Sequence, residues 1–247
     1  MPGDRWASEV TVVGFDGDDT LWHSEDAFAR AQERLVDLLG VHASDADVLA
    51  RLQAIERRNL ELFGYGIKGF TLSMIETAIQ VSDGTVPVAH IERILETGRE
   101  MLARPVELLA GVAETVPLVA ASYRIVLVTK GDLLNQESKI ARSGLAELFE
   151  SISILSEKST ASYSGILRRL DVAPEQFVMV GNSELSDAQP VVEIGARAVL
   201  VPYGITSLHE LGHSADRSSP RLRILQRIDE LPALLEGRKE AGPSPAI

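Results

Sequence analysis

Between residues 105 and 202 short apolar runs alternate with stretches of helical periodicity, and this alternation constrains the fold more than any other feature of the chain. The runs RIVLVT (124–129), SISIL (151–155), FVMVG (177–181) and AVLVP (198–202) are apolar and rich in β-branched residues. They are the length of buried strands. Helical patterns at 112–121, 132–142, 160–170 and 188–194 fall between or just before them. Strands divided by helices of that length need crossover connections, which give a parallel sheet with helices on both faces. VTVVGF at 10–15 has the same character and joins the same sheet.

Residues 25–101 interrupt this pattern. Ala27, Phe28, Ala31, Leu35 and Leu38 recur at helical spacing, as do Val48, Leu52, Ile55 and Leu62. Two further helical stretches, at 71–81 and 88–102, follow without a strand between them. The reading is an α/β Rossmann-like core formed by 1–23 and 104–238, with a helical insert of four helices at 24–103. After residue 202 the sequence predicts a long loop at 203–220, a surface helix at 221–235 and a disordered tail at 239–247.

The formal net charge of −12 repels nucleic-acid phosphates, so nucleic acid is not an expected partner. The chain has no cysteine, which excludes disulfides, thiolate zinc sites and cysteine-nucleophile phosphatase chemistry. MPGDRWASEV lacks the apolar run of a signal peptide, and no long uncharged apolar segment follows. The expectation is a cytoplasmic protein with no membrane contact.

The first strand ends in Asp16-Gly17-Asp18-Asp19-Thr20, at the edge where open parallel sheets bind ligands. Carboxylates crowded there repel one another and either take up protons or bind a cation. Mg²⁺ suits them, because it uses one or two carboxylates and keeps its other positions for water and phosphate. An aspartate can attack phosphorus, and a second carboxylate can move the proton of the leaving alcohol. That chemistry assigns Asp16 as nucleophile and Asp18 as general acid and base. Thr129, Lys130 and Gly131 follow a second strand and suit a phosphate; Lys158 follows a third; Asn182, Glu184 and Asp187 follow a fourth. All would converge at one edge of the sheet.

These segments, in this order, resemble the four motifs of the haloacid dehalogenase superfamily: FDGDDTLW, Thr129, Lys158 and GNSELSD. The resemblance implies a Rossmann-like core and Mg²⁺ held by the Asp16 carboxylate, the Asp18 carbonyl and Asp187, with Asn182 beside them. It implies phosphate contacts from Thr20, Lys130 and Gly131, and charge neutralisation by Lys158. The insert matches the position of a C1-type cap, with residues 21–24 as the turn and flap on which it moves. Asn182 stands where the family often has Asp, with Glu184 a candidate to compensate. Family members that cleave carbon–halogen bonds lack the second aspartate, because a halide leaves without a proton. Asp18 therefore favours a phosphatase acting on a small phosphorylated metabolite. Phosphomutase and dehalogenase chemistry remain alternatives within the family.

Two further readings concern residues outside the motifs. Lys68, in GYGIKGF between two insert helices, is expected to reach into the closed site and contact an anionic substrate. His209-Glu210-Leu211-Gly212-His213 fits H-E-x-x-H, the pattern of zinc proteases. Gly212 and the surrounding prolines and serines argue against the helix that pattern requires. A protein of this fold that only binds Mg²⁺ or a phosphorylated ligand is the non-enzymatic alternative.

Overall fold

The computed structural model describes residues 6–205 and 217–237. Six strands form one sheet: β1 (Val12–Phe15), β2 (Arg124–Lys130), β3 (Ser151–Leu155), β4 (Phe177–Gly181), β5 (Arg197–Leu200) and β6 (Leu222–Ile224). Their order is β3-β2-β1-β4-β5-β6, and every neighbouring pair is parallel. The direction of winding reverses between β1 and β4. Beyond the carboxyl ends of those two strands the loops diverge and leave a crevice, the usual ligand position in open α/β sheets.

Because side chains alternate along a strand, each face of the sheet acquires its own core. Val13, Phe15, Ile125, Leu127, Val178 and Val180 pack on one face with α5 (Val112–Ala120), α6 (Leu133–Ser143) and α9 (Leu231–Leu235). Val12, Val126, Val128, Phe177 and Met179 pack on the other with α7 (Thr160–Leu170) and α8 (Gln189–Glu193). Each large side chain buried this way contributes about 1.5–3 kcal/mol, and the doubly covered sheet uses nearly every strand position.

The insert between β1 and β2 is four helices, as its periodicity indicates: α1 (Glu25–Leu39), α2 (Asp45–Phe63), α3 (Ile67–Val81) and α4 (Val88–Ala103). Leu35, Leu39, Val48, Leu52, Phe70, Met74 and Ile94 close a separate apolar core among them. Helix α3 begins four residues earlier than the sequence pattern suggests. Gly64, at φ 68°, ends α2 and turns the chain. Only Tyr65 and Gly66 then separate the two helices, and Phe70 enters the core from the first turn of α3.

The segment 221–235 is not the surface helix its spacing implies. Leu222, Leu225, Ile228, Leu231 and Leu235 are all buried, but through three different elements. β6 pairs with the edge of β5, a 3₁₀ turn covers Ile228–Glu230, and α9 completes the run. Pro232 explains the break, since proline fits the first turn of a helix but would cost a continuous one a hydrogen bond. Residues 206–216 of the expected loop, with the His209-Glu210-His213 pattern, and the expected tail 239–247 lie outside the described residues.

Candidate active site

Asp16 follows β1 directly, with its backbone N–H bound to the Val180 carbonyl of β4 at 2.9 Å. Its carboxylate meets a buried cation. Lys158 Nζ lies 2.5 Å from Asp16 Oδ1 and 2.6 Å from Asp187 Oδ1, and all three side chains are nearly inaccessible to solvent. Burial alone would pull the Lys158 ammonium down, but the two carboxylates outweigh it and hold the lysine above its ordinary range. Burial, reinforced by the charge of Asp187 and opposed by Lys158, pushes Asp16 up to about 6.

Local backbone geometry brings Asp187 to this point. After β4 the chain makes a π-helical turn, Glu184–Ala188, capped by the Ser183 hydroxyl, which accepts from Ser186 N at 3.0 Å. Such turns recur where a helix must aim a side chain into a site. Asp187 Oδ2 accepts from Ser183 N at 3.1 Å, and the carboxyl lies so close over Gly181 that a Cβ there would collide with it. Gly17 has the same role beneath Trp22, whose ring would lie 2.7 Å from an added Cβ.

Thr20 Oγ1 lies 3.1 Å from Asp16 Oδ2 and 3.2 Å from Asn182 Oδ1, and with one hydrogen it serves one of them at a time. Thr129, at the end of β2, is 1% exposed. Its Oγ1 has no partner among the described residues although it lines the same cavity as Asp16. A buried hydroxyl left unpaired costs about 1–3 kcal/mol, and an oxyanion in the cavity would satisfy it. Lys130 and Gly131 also line the cavity, where the Lys130 ammonium donates to Ser186 Oγ at 2.9 Å and lies over the Tyr65 ring at 4.2 Å.

Asp18 takes a different environment from Asp16. Lys139 Nζ donates to both its oxygens at 2.7 and 2.8 Å, Trp22 Nε1 to Oδ1 at 2.7 Å, and Gln136 Nε2 to Oδ2 at 2.8 Å. Burial would raise this carboxyl, yet Lys139 and the other donors hold it below the ordinary carboxylate range. Asp19, at φ 61°, accepts from Ser24 N and Glu25 N and so anchors the start of α1; burial lifts it to about 7. The sequence reading found neither Lys139 nor Gln136. They project from α6, after the motif, where polar residues read as a solvated helix face.

Two expectations need correction. Lys68 does not line the cavity: its ammonium binds both oxygens of Asp132 at 3.0 Å on the surface, joining the insert to the core. Asp132 caps α6 through Asn135 N, so the pair clamps two helix starts together. Glu184 does not turn to the carboxylates either, because it pairs with Arg217.

The carboxylates of Asp16 and Asp187 face one ammonium, with the Asn182 amide oxygen one hydroxyl away. Among the described residues no three histidine, aspartate or glutamate side chains cluster as a self-sufficient metal cage. Two hard carboxylates suit Mg²⁺, which needs no such cage and leaves positions for water and phosphate. Core and insert together enclose a cavity of about 170 Å³ over these groups.

A family model for haloacid dehalogenase-like hydrolases matches residues 10–195. A comparison with curated proteins gives no match. Among solved structures, a haloacid dehalogenase-like family hydrolase from Xanthomonas campestris is 44% identical, covering 92% of this chain and 91% of that one with a TM-score of 0.83. A 2-haloacid dehalogenase from Pseudomonas syringae has a TM-score of 0.58 at 21% identity, over 92% of this chain and 98% of its own. A HAD phosphatase from Thermococcus onnurineus has a TM-score of 0.59 at 18% identity, over 93% of this chain and 99% of its own. The last two share the fold and differ in chemistry, so they do not choose between phosphate and halide. The matched residues and the Xanthomonas relative do settle the family: the chain belongs to the haloacid dehalogenase-like hydrolases.

Proposed function

We propose that this hydrolase is a Mg²⁺-dependent phosphatase of small phosphorylated metabolites. The observation that carries the reading is Asp18, a second, half-buried carboxylate two residues after Asp16 on the wall of the same cavity. A halide leaves as a stable anion and needs no such group, whereas an alkoxide must be protonated. The unpartnered Thr129 hydroxyl beside Asp16 supports an oxyanion ligand.

Asp16 attacks the phosphorus atom, forming an aspartyl-phosphate as the bond to the leaving oxygen breaks. Asp18 gives that oxygen its proton. In the second half a water attacks the same phosphorus, Asp18 takes the water's proton, and Asp16 is released with inorganic phosphate. Bound Mg²⁺, held by Asp16 and Asp187, would neutralise phosphoryl charge and favour the ionised form of Asp16. Lys158 holds Asp16 and Asp187 in place and opposes their repulsion. In the present geometry Lys139 favours the base form of Asp18, so its acid form requires the carboxyl to leave that ammonium. The helical insert acts as the cap that excludes water while this happens.

The test is p-nitrophenyl phosphate hydrolysis with and without Mg²⁺, for the wild type and for Asp16→Asn and His209→Ala. Mg²⁺-dependent turnover abolished in Asp16→Asn alone is the expected result. A wild type that releases halide from 2-haloacids but no nitrophenolate would sink the reading, and loss of activity in His209→Ala would reopen the zinc chemistry.

A further inference from the structure

The cavity has a second wall, supplied by the insert, whose polar groups are used by none of the steps above. Glu56 and Asn59 of α2 and Ser73 of α3 are buried there, beside Phe28 and Phe70. The hydrogen-bonding capacity of this wall is strongly one-sided. Asn59 Nδ2 donates to Ser73 Oγ at 3.1 Å and to Glu76 Oε2 at 3.1 Å. A carboxylate only accepts, so Glu76 fixes the orientation of the amide, and both of its hydrogens are engaged. The Ser73 hydroxyl is engaged as well, donating to the Gly69 carbonyl at 2.9 Å. What Asn59 has left for a ligand is its oxygen, an acceptor. Glu56 adds a carboxyl, which burial lifts to about 7, so that above this value it ionises, accepts only and carries negative charge. Gln32 is the one insert side chain on this wall with an amide N–H to offer, and among the described residues the cations that line the cavity, Lys130, Lys139 and Lys158, all belong to the core.

With Glu56 ionised, a leaving group that ends in a carboxylate would meet acceptors with acceptors and charge with like charge on this wall. One that carries hydroxyls would donate to Glu56 and to Asn59 Oδ1. Resting on the phosphatase reading, we infer that Glu56, with Asn59 held by Ser73 and Glu76, is the specificity-determining residue of the insert. It selects phosphoesters of hydroxyl-bearing alcohols and rejects those of hydroxy acids. The separation from the chemistry is clear: the phosphoryl end is handled by the core, and Glu56 touches only what departs.

The experiment compares matched pairs with the same carbon chain, such as glycerol 3-phosphate against 3-phosphoglycerate, with p-nitrophenyl phosphate as the common reference. Inhibition constants against nitrophenyl turnover read the same preference where an ester is hydrolysed slowly. With Glu56 ionised, above about pH 7, the wild type should prefer the hydroxyl ester at least about tenfold, equivalent to ~1.4 kcal/mol. Glu56→Gln, which keeps the shape and removes the charge, should reduce that ratio about tenfold, each rate being referred to the variant's own nitrophenyl turnover. The wild-type comparison depends on no variant folding, and a melting curve checks the variant. A wild type that takes the carboxylate ester equally well or better overturns the inference, as does a ratio unchanged in a folded Glu56→Gln. Failure of the phosphatase reading looks different, because nitrophenyl phosphate itself would then go unhydrolysed.

Discussion

Two aspartates two residues apart occupy opposite electrostatic environments, and their proposed roles depend on that difference. Asp16 shares one buried ammonium with Asp187; burial lifts its carboxyl to about 6, and Lys158 keeps it low enough to be ionised at neutral pH, as a nucleophile must be. Asp18 has Lys139, Gln136 and Trp22 to itself and is held low. Replacing Asp18 with Asn keeps the size and one acceptor oxygen but removes proton transfer. Alkyl phosphate hydrolysis should then fall by about 10²–10⁴, the usual contribution of general acid–base catalysis. Nitrophenyl phosphate, whose leaving group needs no proton, should instead give a burst of one equivalent of nitrophenolate before slow hydrolysis of the aspartyl-phosphate. Stopped-flow absorbance separates the two cases, and equal losses on both substrates without a burst would assign Asp18 a structural role. That Asp16, Thr129, Lys158 and Asp187 meet was legible from the sequence, because each follows a recognisable strand and strand ends share one edge. Their proposed roles rest on the chemistry of the residue types together with the family resemblance. Lys139 was invisible for the opposite reason: on a helix its direction depends on packing, and a lysine there reads as solvent-facing.

At the scale of elements, two regions join insert to core: its base, where Asp19 accepts from Ser24 N and Arg104 pairs with Asp26, and the segment 65–68 across the cavity. Tyr65 donates to Glu157 at 3.0 Å and lies under Lys130, while Lys68 pairs with Asp132. Exposed ion pairs of this kind contribute about 0–1 kcal/mol. Lys68→Ala is therefore expected to change KM for a small phosphoester less than about threefold, since Lys68 holds no substrate group and its pair adds only this small energy. Steady-state kinetics checks this, and a KM raised tenfold or more would restore Lys68 to the substrate. Here the sequence misled in an instructive way. GYGIKGF looks like a glycine-rich linker carrying a free cation, but tertiary packing of Phe70 extends α3 through it and Asp132 takes the charge. The segment 221–235 erred in the same direction: its apolar spacing suits a helix, yet Pro232 and the open edge of β5 divide it. Periodicity reports which residues are buried more faithfully than it reports the element that buries them.

For the whole molecule, burying carboxylates on both walls of one cavity ties stability to pH. Asp19 in the core and Glu56 in the insert are lifted by burial from 3.8 and 4.5 to about 7. For each, the folded state holds its proton more tightly than the unfolded state between about pH 4 and 7. Stability then falls as pH rises through that window, because the folded protein must ionise groups it buries while the unfolded chain has already done so. Asp18, held low by Lys139, has the opposite sign, but its effect enters only below its ordinary value of 3.8 and leaves the window untouched. The metal-free protein should thus melt higher at pH 5.5 than at pH 8, by roughly 5 °C on the usual scaling of free energy to Tm. Calorimetry should be run above the pI of about 4.9, where the net charge still opposes association. Glu56→Gln should flatten part of the slope, because a neutral amide in that wall has no proton to lose. A melting temperature that rises toward pH 8 in the wild type would mean that both carboxyls are compensated in the folded state, and the insert wall would then be neutral to an arriving carboxylate.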